Sequence, residues 1–426
     1  MKMSKPEIPV DAAAVGELPP ETSAGRDPLR PDAVPLVPRF LGQGYVREEV
    51  DERRRWVEAQ TGADLAEVGR FSIDPTSMRG NVENPVGAVQ VPLGVAGPLR
   101  IEGEHARGTF FVPLATTEGA LVRSYERGMV ALTRSGGAVA RVELDRNRVS
   151  PVFQFRDVAE AKDFCRRLPA SFETLRSVAE ATTRHGRLLE VTCLPAGRRV
   201  IVDFEYSTGD AHGMNMIVRA TDAACRWILE HVGGERFLVF SGYSAEKRPA
   251  GSLLRGGKGK KVMAGARVPR RVIRSVLRTT PEDLAELWRA TVVGHLASGS
   301  LGYNGQYANG LTALFIACGQ DVANVVNSAV GISQLELTRD GDLYASVTLP
   351  SLTVATVGGG TGWGTARECL AMLGCAGAGQ ARKLAEITAA TVLAGELSMA
   401  AAIASGEFVD AHETYGRNRP EASDEE

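Results

Sequence analysis

The chain has 426 residues, with 49 Lys and Arg against 51 Asp and Glu and a formal net charge of −2. At ~100–200 residues per domain, that length suggests two or three domains, and 44% apolar with 23% charged residues excludes wholesale disorder. A charge so near zero gives no electrostatic case for nucleic acid or an anionic membrane, and the six cysteines (165, 193, 225, 318, 369 and 375) form no CxxC pair and no zinc-site spacing.

Residues 1–38 hold eight of the 21 prolines and little apolar periodicity, which predicts a disordered tail. Residues 108–112, 199–205 and 237–240 read as strands. Helical patterns lie at 119–133, 157–168, 221–232 and 281–297, the last with Thr280 as N-cap and Pro281 at the first helical position. Between residues 148 and 240 the chain is strand-rich and less dense in glycine, which predicts a small α+β unit inserted into a larger helical domain. Residues 382–404 form an Ala-rich helix interrupted by Glu386 and Glu396, a packed core helix and not a membrane span. No uncharged apolar run approaches the ~20 residues a membrane helix needs. Scattered thiols without a signal peptide point to a reduced, cytoplasmic protein. The 47 glycines stand above the usual ~7%, a hint of close backbone approaches or bound ligands.

Several motifs could carry chemistry. Glu118 follows a strand in Pro113-Leu-Ala-Thr-Thr-Glu-Gly-Ala120. A carboxyl in an apolar setting has its pKa raised and can donate a proton; a first-turn Glu facing the helix dipole is the plainer alternative. Asp210-Ala-His-Gly-Met-Asn-Met216 would let a flat polar ligand approach the backbone, or would be a loop with a packed Met pair. Lys247-Arg248 and Arg255-Gly-Gly-Lys-Gly-Lys-Lys261 lack Walker-loop spacing, so a phosphate site competes with a solvated turn. Gly319-Gln-Asp321 closes the apolar run 311–318. Thr356-Val-Gly-Gly-Gly-Thr361 fails the GxGxxG fingerprint, because Trp363 stands where a glycine is needed. His412 lies alone in a polar segment, where most histidines are simply exposed. No Ser or Cys elbow and no His cluster supports a hydrolase or a metal centre.

Eight motifs in order resemble the 3-hydroxy-3-methylglutaryl-CoA reductase family: Glu83-Asn-Pro-Val-Gly87, Pro92-Leu-Gly-Val-Ala-Gly-Pro98, Leu114-Ala-Thr-Thr-Glu-Gly119, Gly209-Asp-Ala-His-Gly-Met-Asn-Met216, Lys247-Arg-Pro249, Ala317-Cys-Gly-Gln-Asp321, Thr356-Val-Gly-Gly-Gly-Thr361 and Ala394-Gly-Glu-Leu-Ser398. The resemblance covers residues 71–417, and the Gly-Met-Asn-Met form is similar to the class I branch, here without its membrane anchor. It implies an α+β fold with a small helical N-terminal domain (39–75) and a large substrate- and CoA-binding domain around a long central helix (76–147 and 241–410). An inserted ferredoxin-like NADP-binding domain (148–240) and a mobile C-terminal flap (411–426) complete it. It also implies NADPH as cofactor, coenzyme A as part of the substrate, a homodimer or larger homo-oligomer, and no metal.

The resemblance carries roles residue by residue. Glu118 matches the proton donor, Lys247 the cation that stabilises the oxyanion, Asp321 the aspartate coupled to both, and His412 the histidine that protonates the leaving thiolate. Implied cofactor contacts are Arg176 and Ser177 at the 2′-phosphate, with Asp210, Gly213, Met214, Asn215, Gly358, Gly359 and Gly360. Implied substrate contacts are Glu83, Ser124, Arg127, Arg148, Ser241, Arg248, Arg278 and Asn309. The implied reaction is two hydride transfers, thioester to hemithioacetal and then aldehyde to alcohol, and a buried Glu–Lys–Asp group suits it.

The chain departs from the family pattern at His212 (usually Met), Pro85, Glu246 (usually Asp) and Arg248 (usually Lys). The loop before Lys247 is one residue short, Ser252-Leu-Leu254 replaces the usual Asn-Trp, Arg148 is the nearest arginine to an expected one, and Tyr415-Gly-Arg-Asn418 follows His412. Three readings compete: reduction of 3-hydroxy-3-methylglutaryl-CoA, the same chemistry on another acyl thioester, and a non-catalytic CoA-binding scaffold.

Overall fold

The computed structural model describes residues 35–40 and 44–407. Most of the tail expected over 1–38, and all of 411–426 with His412, lie outside the described residues. The strands are β1 (Leu93–Gly103), β2 (Arg107–Ala115), β3 (Ala138–Val149), β4 (Val152–Gln154), β5 (Arg187–Ala196), β6 (Arg199–Ser207), β7 (Arg236–Leu238), β8 (Gly259–Val268), β9 (Ile332–Leu337) and β10 (Leu343–Leu352). The longer helices are α1 (Arg47–Thr61), α2 (Leu121–Arg134), α3 (Val158–Arg167), α4 (Phe172–Glu180), α5 (Met214–His231), α6 (Pro281–Ser298), α7 (Tyr307–Ala317), α8 (Gly364–Met372) and α9 (Ala381–Ser405).

The strands join in the order β7-β4-β6-β3-β8-β10-β9, with β1 beside β3, β2 beside β1, and β5 beside β6. β3 serves two halves. Its residues 139–146 pair with β8, while Asn147, Arg148 and Val149 pair with β6. A separate apolar core lies on each side of that crossing: one gathers β1, β2, β8, β10, α2, α7 and α9, the other runs from Val149 to Val232.

α9 is the axis of the larger core. It is apolar on nearly all sides and buried from Ala381 to Ala402 with few exceptions, the pattern of a helix surrounded by protein. By length and composition it could cross a membrane, but 83% of its apolar window is inside the protein. Its alanines and glycines let α2 approach closely: a Cβ at Gly128 would collide with the Ala394 carbonyl. The two glutamates that interrupt the helix are anchors. Glu386 accepts the N–H groups of Glu104, His105 and Ala106 at 3.1, 2.8 and 2.6 Å. Glu396 accepts the Ser333 hydroxyl at 2.7 Å and the N–H groups of Gly305 and Gln306. Dense donors satisfy these buried carboxyls, and burial still raises the pKa of Glu396.

Two expectations are corrected. The larger part is not a helical domain, since it carries β1, β2, β8, β9, β10 and most of β3; Gly, Ala and Lys at inward strand positions hid the alternation. α5 begins at Met214 and not near 221, because Gly213 at φ +73 opens the helix directly after the preceding loop.

Candidate active site

Lys247 sits on a turn whose backbone is unusual. Ala245 and Lys247 both adopt φ +54, a left-handed conformation that side chains disfavour. From there Lys247 Nζ reaches Asp321 Oδ2 at 2.6 Å, with both side chains about half exposed. Asp321 is held in turn because it caps the helical turn that follows it, accepting Ala323 N–H at 3.1 Å on Oδ1. The Gly319 backbone presses on the glycine turn at 358–360, where a Cβ on Gly319 would meet the Gly360 carbonyl. The Asp321 loop and that turn are therefore one packed unit.

These groups face a cleft of about 1460 Å³, bordered by residues 71–73 and 212–216, Glu246, Lys247, Asp321 and the glycines at 358–360. The cleft contains buried polar atoms that make no hydrogen bond within the protein: both amide atoms of Asn324 and Nε2 of His212. Unpartnered buried groups of this kind suit a polar ligand.

Beneath Lys247 the charges are buried. Lys258 is fully inaccessible, pairs with Glu246 and donates to Asn147 Oδ1 at 2.8 Å. His212 Nε2 stands 3.7 Å from Glu246 Oε1. Burial holds the His212 imidazole down to about 4; Glu246 and Asp321 oppose this, while Lys258 and Lys247 reinforce it. Burial also lowers the pKa of Lys258, with Glu246 opposing. The stretch 255–261, read as a phosphate site or a solvated turn, is neither: Lys258 is in this pair and Lys260 is buried against Asp145 at 3.1 Å.

Glu118 stands apart from the pair. Its carboxylate accepts Asn309 Nδ2 at 3.0 and 2.9 Å and is exposed, in a depression of about 440 Å³ that shares Val91, Ala115 and Ile316 with the main cleft. The apolar enclosure expected for Glu118, and the expected burial of Glu118, Lys247 and Asp321 as a group, are not found within the single chain. Each lies at a loop mouth on the protein's surface.

The other expected residues fall into separate places. Gly213, Met214 and Asn215 open α5 on the cleft. Asp210 is turned to the fold: its carboxylate accepts Gly379 N–H at 2.7 Å and Ala381 N–H at 3.0 Å, at the start of α9. Arg148, expected at the substrate, is instead committed to Glu205, Asp203 and the carbonyls of Gly256 and Gly257, because β3 carries it into the junction of the two halves. Ser241 donates to the Ser150 carbonyl at 2.6 Å, and Arg248 is exposed beyond Lys247. Ser124 and Arg127 meet Ser398 on α9 at 3.2 and 3.0 Å, and Glu407 bridges Arg127 and Arg278 at 3.5 and 3.1 Å. Glu83 is exposed. Arg176 and Ser177 lie exposed on α4, where Arg176 pairs with Glu173 at 2.7 Å, and neither borders the cleft. Sequence reasoning missed Lys258, Asn324 and the role of Glu246. For Lys258 a signal existed: it is in phase with Lys260, Val262, Ala264, Ala266 and Val268, the inward face of β8.

Fold and cleft together define the class: an α+β enzyme in which a lysine–carboxylate pair faces glycine-bordered loops in a cleft large enough for an extended ligand. The chain belongs to the hydroxymethylglutaryl-coenzyme A reductase family, whose profile matches residues 49–417. It is 44% identical over 375 residues to the 3-hydroxy-3-methylglutaryl-coenzyme A reductase of Methanothermobacter thermautotrophicus, covering 87% of this chain and 94% of that one. The reductase of Aeropyrum pernix is 46% identical over 384 residues, covering 88% and 91%. Among solved structures, a class II reductase from Streptococcus pneumoniae bound to NADPH in open conformations superposes with a TM-score of 0.65 at 20% identity, covering 85% of this chain and 100% of that one. At that identity the likeness bears on the fold alone.

Proposed function

We propose that this chain reduces (S)-3-hydroxy-3-methylglutaryl-CoA to mevalonate and coenzyme A with NADPH, in the cytoplasm and as a homodimer or larger homo-oligomer. The observation that carries the reading is the Lys247–Asp321 pair at 2.6 Å, facing the loop 212–216 and the glycine turn 358–360 across one cleft. NADPH, when bound, supplies hydride. Lys247 places a cation where the carbonyl oxygen gains charge, and Asp321 orients that cation. Glu118 gives the proton to the reduced oxygen, and Asn309 orients its carboxyl. His412 protonates the departing thiolate.

The domain reading goes with this. Residues 39–75 form the small N-terminal domain, 76–147 and 241–410 the large one, and 148–240 a ferredoxin-like cofactor domain; 411–426, with His412, lie outside the described residues. In the third, β4, α3, α4, β5, β6, α5 and β7 follow one another with antiparallel pairing in the order β7-β4-β6-β5, which supports the ferredoxin-like label. Arg176 and Ser177 on α4 are the proposed 2′-phosphate contacts, with Arg176 exchanging Glu173 for phosphate. A second copy would cover Glu118, Lys247 and Asp321, which one chain leaves exposed.

The test is NADPH oxidation with a panel of acyl-CoA thioesters. Turnover is expected with 3-hydroxy-3-methylglutaryl-CoA, yielding two NADP per CoA released. Preference for another thioester would favour the second reading, which the inward turn of Glu246 supports. No oxidation with any thioester would refute the proposal.

A further inference from the structure

The turn that carries Lys247 is held from one end by apolar packing and from the middle by charge. Ala245 packs with Leu253 and Val330. Lys247 itself is about half exposed and reaches outward to Asp321. Between them Glu246 turns inward, and its carboxylate meets the inaccessible ammonium of Lys258. Lys258 Nζ also donates to Asn147 Oδ1 at 2.8 Å and lies 3.2 Å from Met214 Sδ. Asn147 Nδ2 in turn donates to the His212 carbonyl at 2.9 Å. One ammonium thus touches three segments: the lysine turn, the crossing point of β3, and the first residue of α5.

We infer that Lys258 and Glu246 are positioning residues for Lys247, forming a latch that ties the lysine turn to the Gly-Met-Asn-Met segment at 213–216. The inference rests on the function proposed above. Stability alone is a poor reason for the pair, because replacing a buried ion pair by apolar side chains is often neutral or stabilising. What the pair does supply is conformation. Two non-glycine residues in left-handed backbone persist only where their surroundings over-determine them, and Glu246 is the residue between the two. Two departures from the family pattern, His212 and Glu246, also meet here, 3.7 Å apart. The longer glutamate reaches Lys258 while the imidazole closes its other side.

The experiment uses the full chain with Lys258→Met, Glu246→Gln and the double variant. Four quantities are measured: kcat, KM for each substrate, melting temperature, and acetylation of Lys247 by acetic anhydride read by mass spectrometry. Each single variant leaves one buried group without its partner and should lower both melting temperature and kcat. A misplaced reacting group costs up to about 100-fold, so kcat should fall ~10–100-fold with KM for NADPH within about threefold. The double variant should regain the melting temperature while kcat stays at least ~10-fold low and Lys247 labels several-fold faster, since the turn no longer holds it on Asp321. If kcat and labelling return to wild type along with the melting temperature, the pair is structural and the inference fails. It fails equally if the single variants keep wild-type kcat. Should the wild type itself not turn over the thioester, the proposed function fails instead, and the labelling rates still judge the latch.

Discussion

Replacing His212 by Met should flatten the response of stability to pH. Burial is the largest influence on this ring and holds its pKa near 4, against an ordinary 6.5; Glu246 and Asp321 pull it up, and Lys258 and Lys247 push it down. The folded protein therefore keeps the imidazole neutral to about pH 4, while the unfolded chain takes up a proton near 6.5. Between those values the unfolded state binds more protons, so stability is complete above 6.5 and is lost as pH falls toward 4. At 1.36 kcal/mol per pKa unit the loss is about 2 kcal/mol between pH 7.5 and 5, and about 3 kcal/mol by pH 4. The side chain is only 22% exposed, so solvent screening removes little of this. Urea unfolding of wild type and His212→Met at pH 7.5, 6 and 5 measures it. Carboxylates elsewhere titrate alike in both proteins and cancel in the difference. The variant should gain about 2 kcal/mol on the wild type from pH 7.5 to 5. A difference that stays constant to within about 0.5 kcal/mol would show that the ring is already protonated or solvated in the folded state.

Lys247→Met should lower kcat by at least ~10²-fold while NADPH affinity and the far-ultraviolet spectrum stay near wild type; activity within about tenfold of wild type would sink the assignment. Gly128→Ala should cost about 1–3 kcal/mol, because its Cβ collides with the Ala394 carbonyl, whereas Gly294→Ala in α6, with open space around it, should gain up to about 1 kcal/mol in urea unfolding. His412→Gln should slow thioester reduction ~10²–10⁴-fold yet reduce free mevaldehyde at close to the wild-type rate, since only the first half-reaction expels a thiolate; an equal fall in both would assign His412 a structural part.

Much of the fold was legible where local chemistry decides. Thr280 and Pro281 marked the start of α6, and the helical pattern at 157–168 matches α3, which Asp157 caps in the structure. α9 was legible as a core helix because two glutamates in a long apolar run require internal donors, and both have them. α5 was begun seven residues late, because Gly213 and the polar residues around it resemble a loop as much as a helix start; the deciding feature is a backbone angle that glycine permits without requiring.

The site divides along a different line. Lys247 and Asp321 could be picked out by the motifs around them, since each owes its place to a local device: a left-handed turn, a capped helical turn. The burial of charge could not, because it depends on partners far away in the chain. Whether Lys258 is solvated depends on Glu246 twelve residues before it and Asn147 still further off. Arg148 looks like a ligand until β6 places Glu205 and β3 delivers the guanidinium between Glu205 and Asp203. A lysine in a glycine-rich stretch has the same local sequence whether it faces phosphate, water or a glutamate. Strand phase is the one local sign that separates these cases: Lys258, one residue before β8, is in phase with Lys260 and Val262 on its inward face, and a buried cation there needs a carboxylate of its own. The departures at His212 and Glu246 are therefore best understood together with Lys258, since a longer acid on the turn that carries Lys247 has use only where a buried cation awaits it.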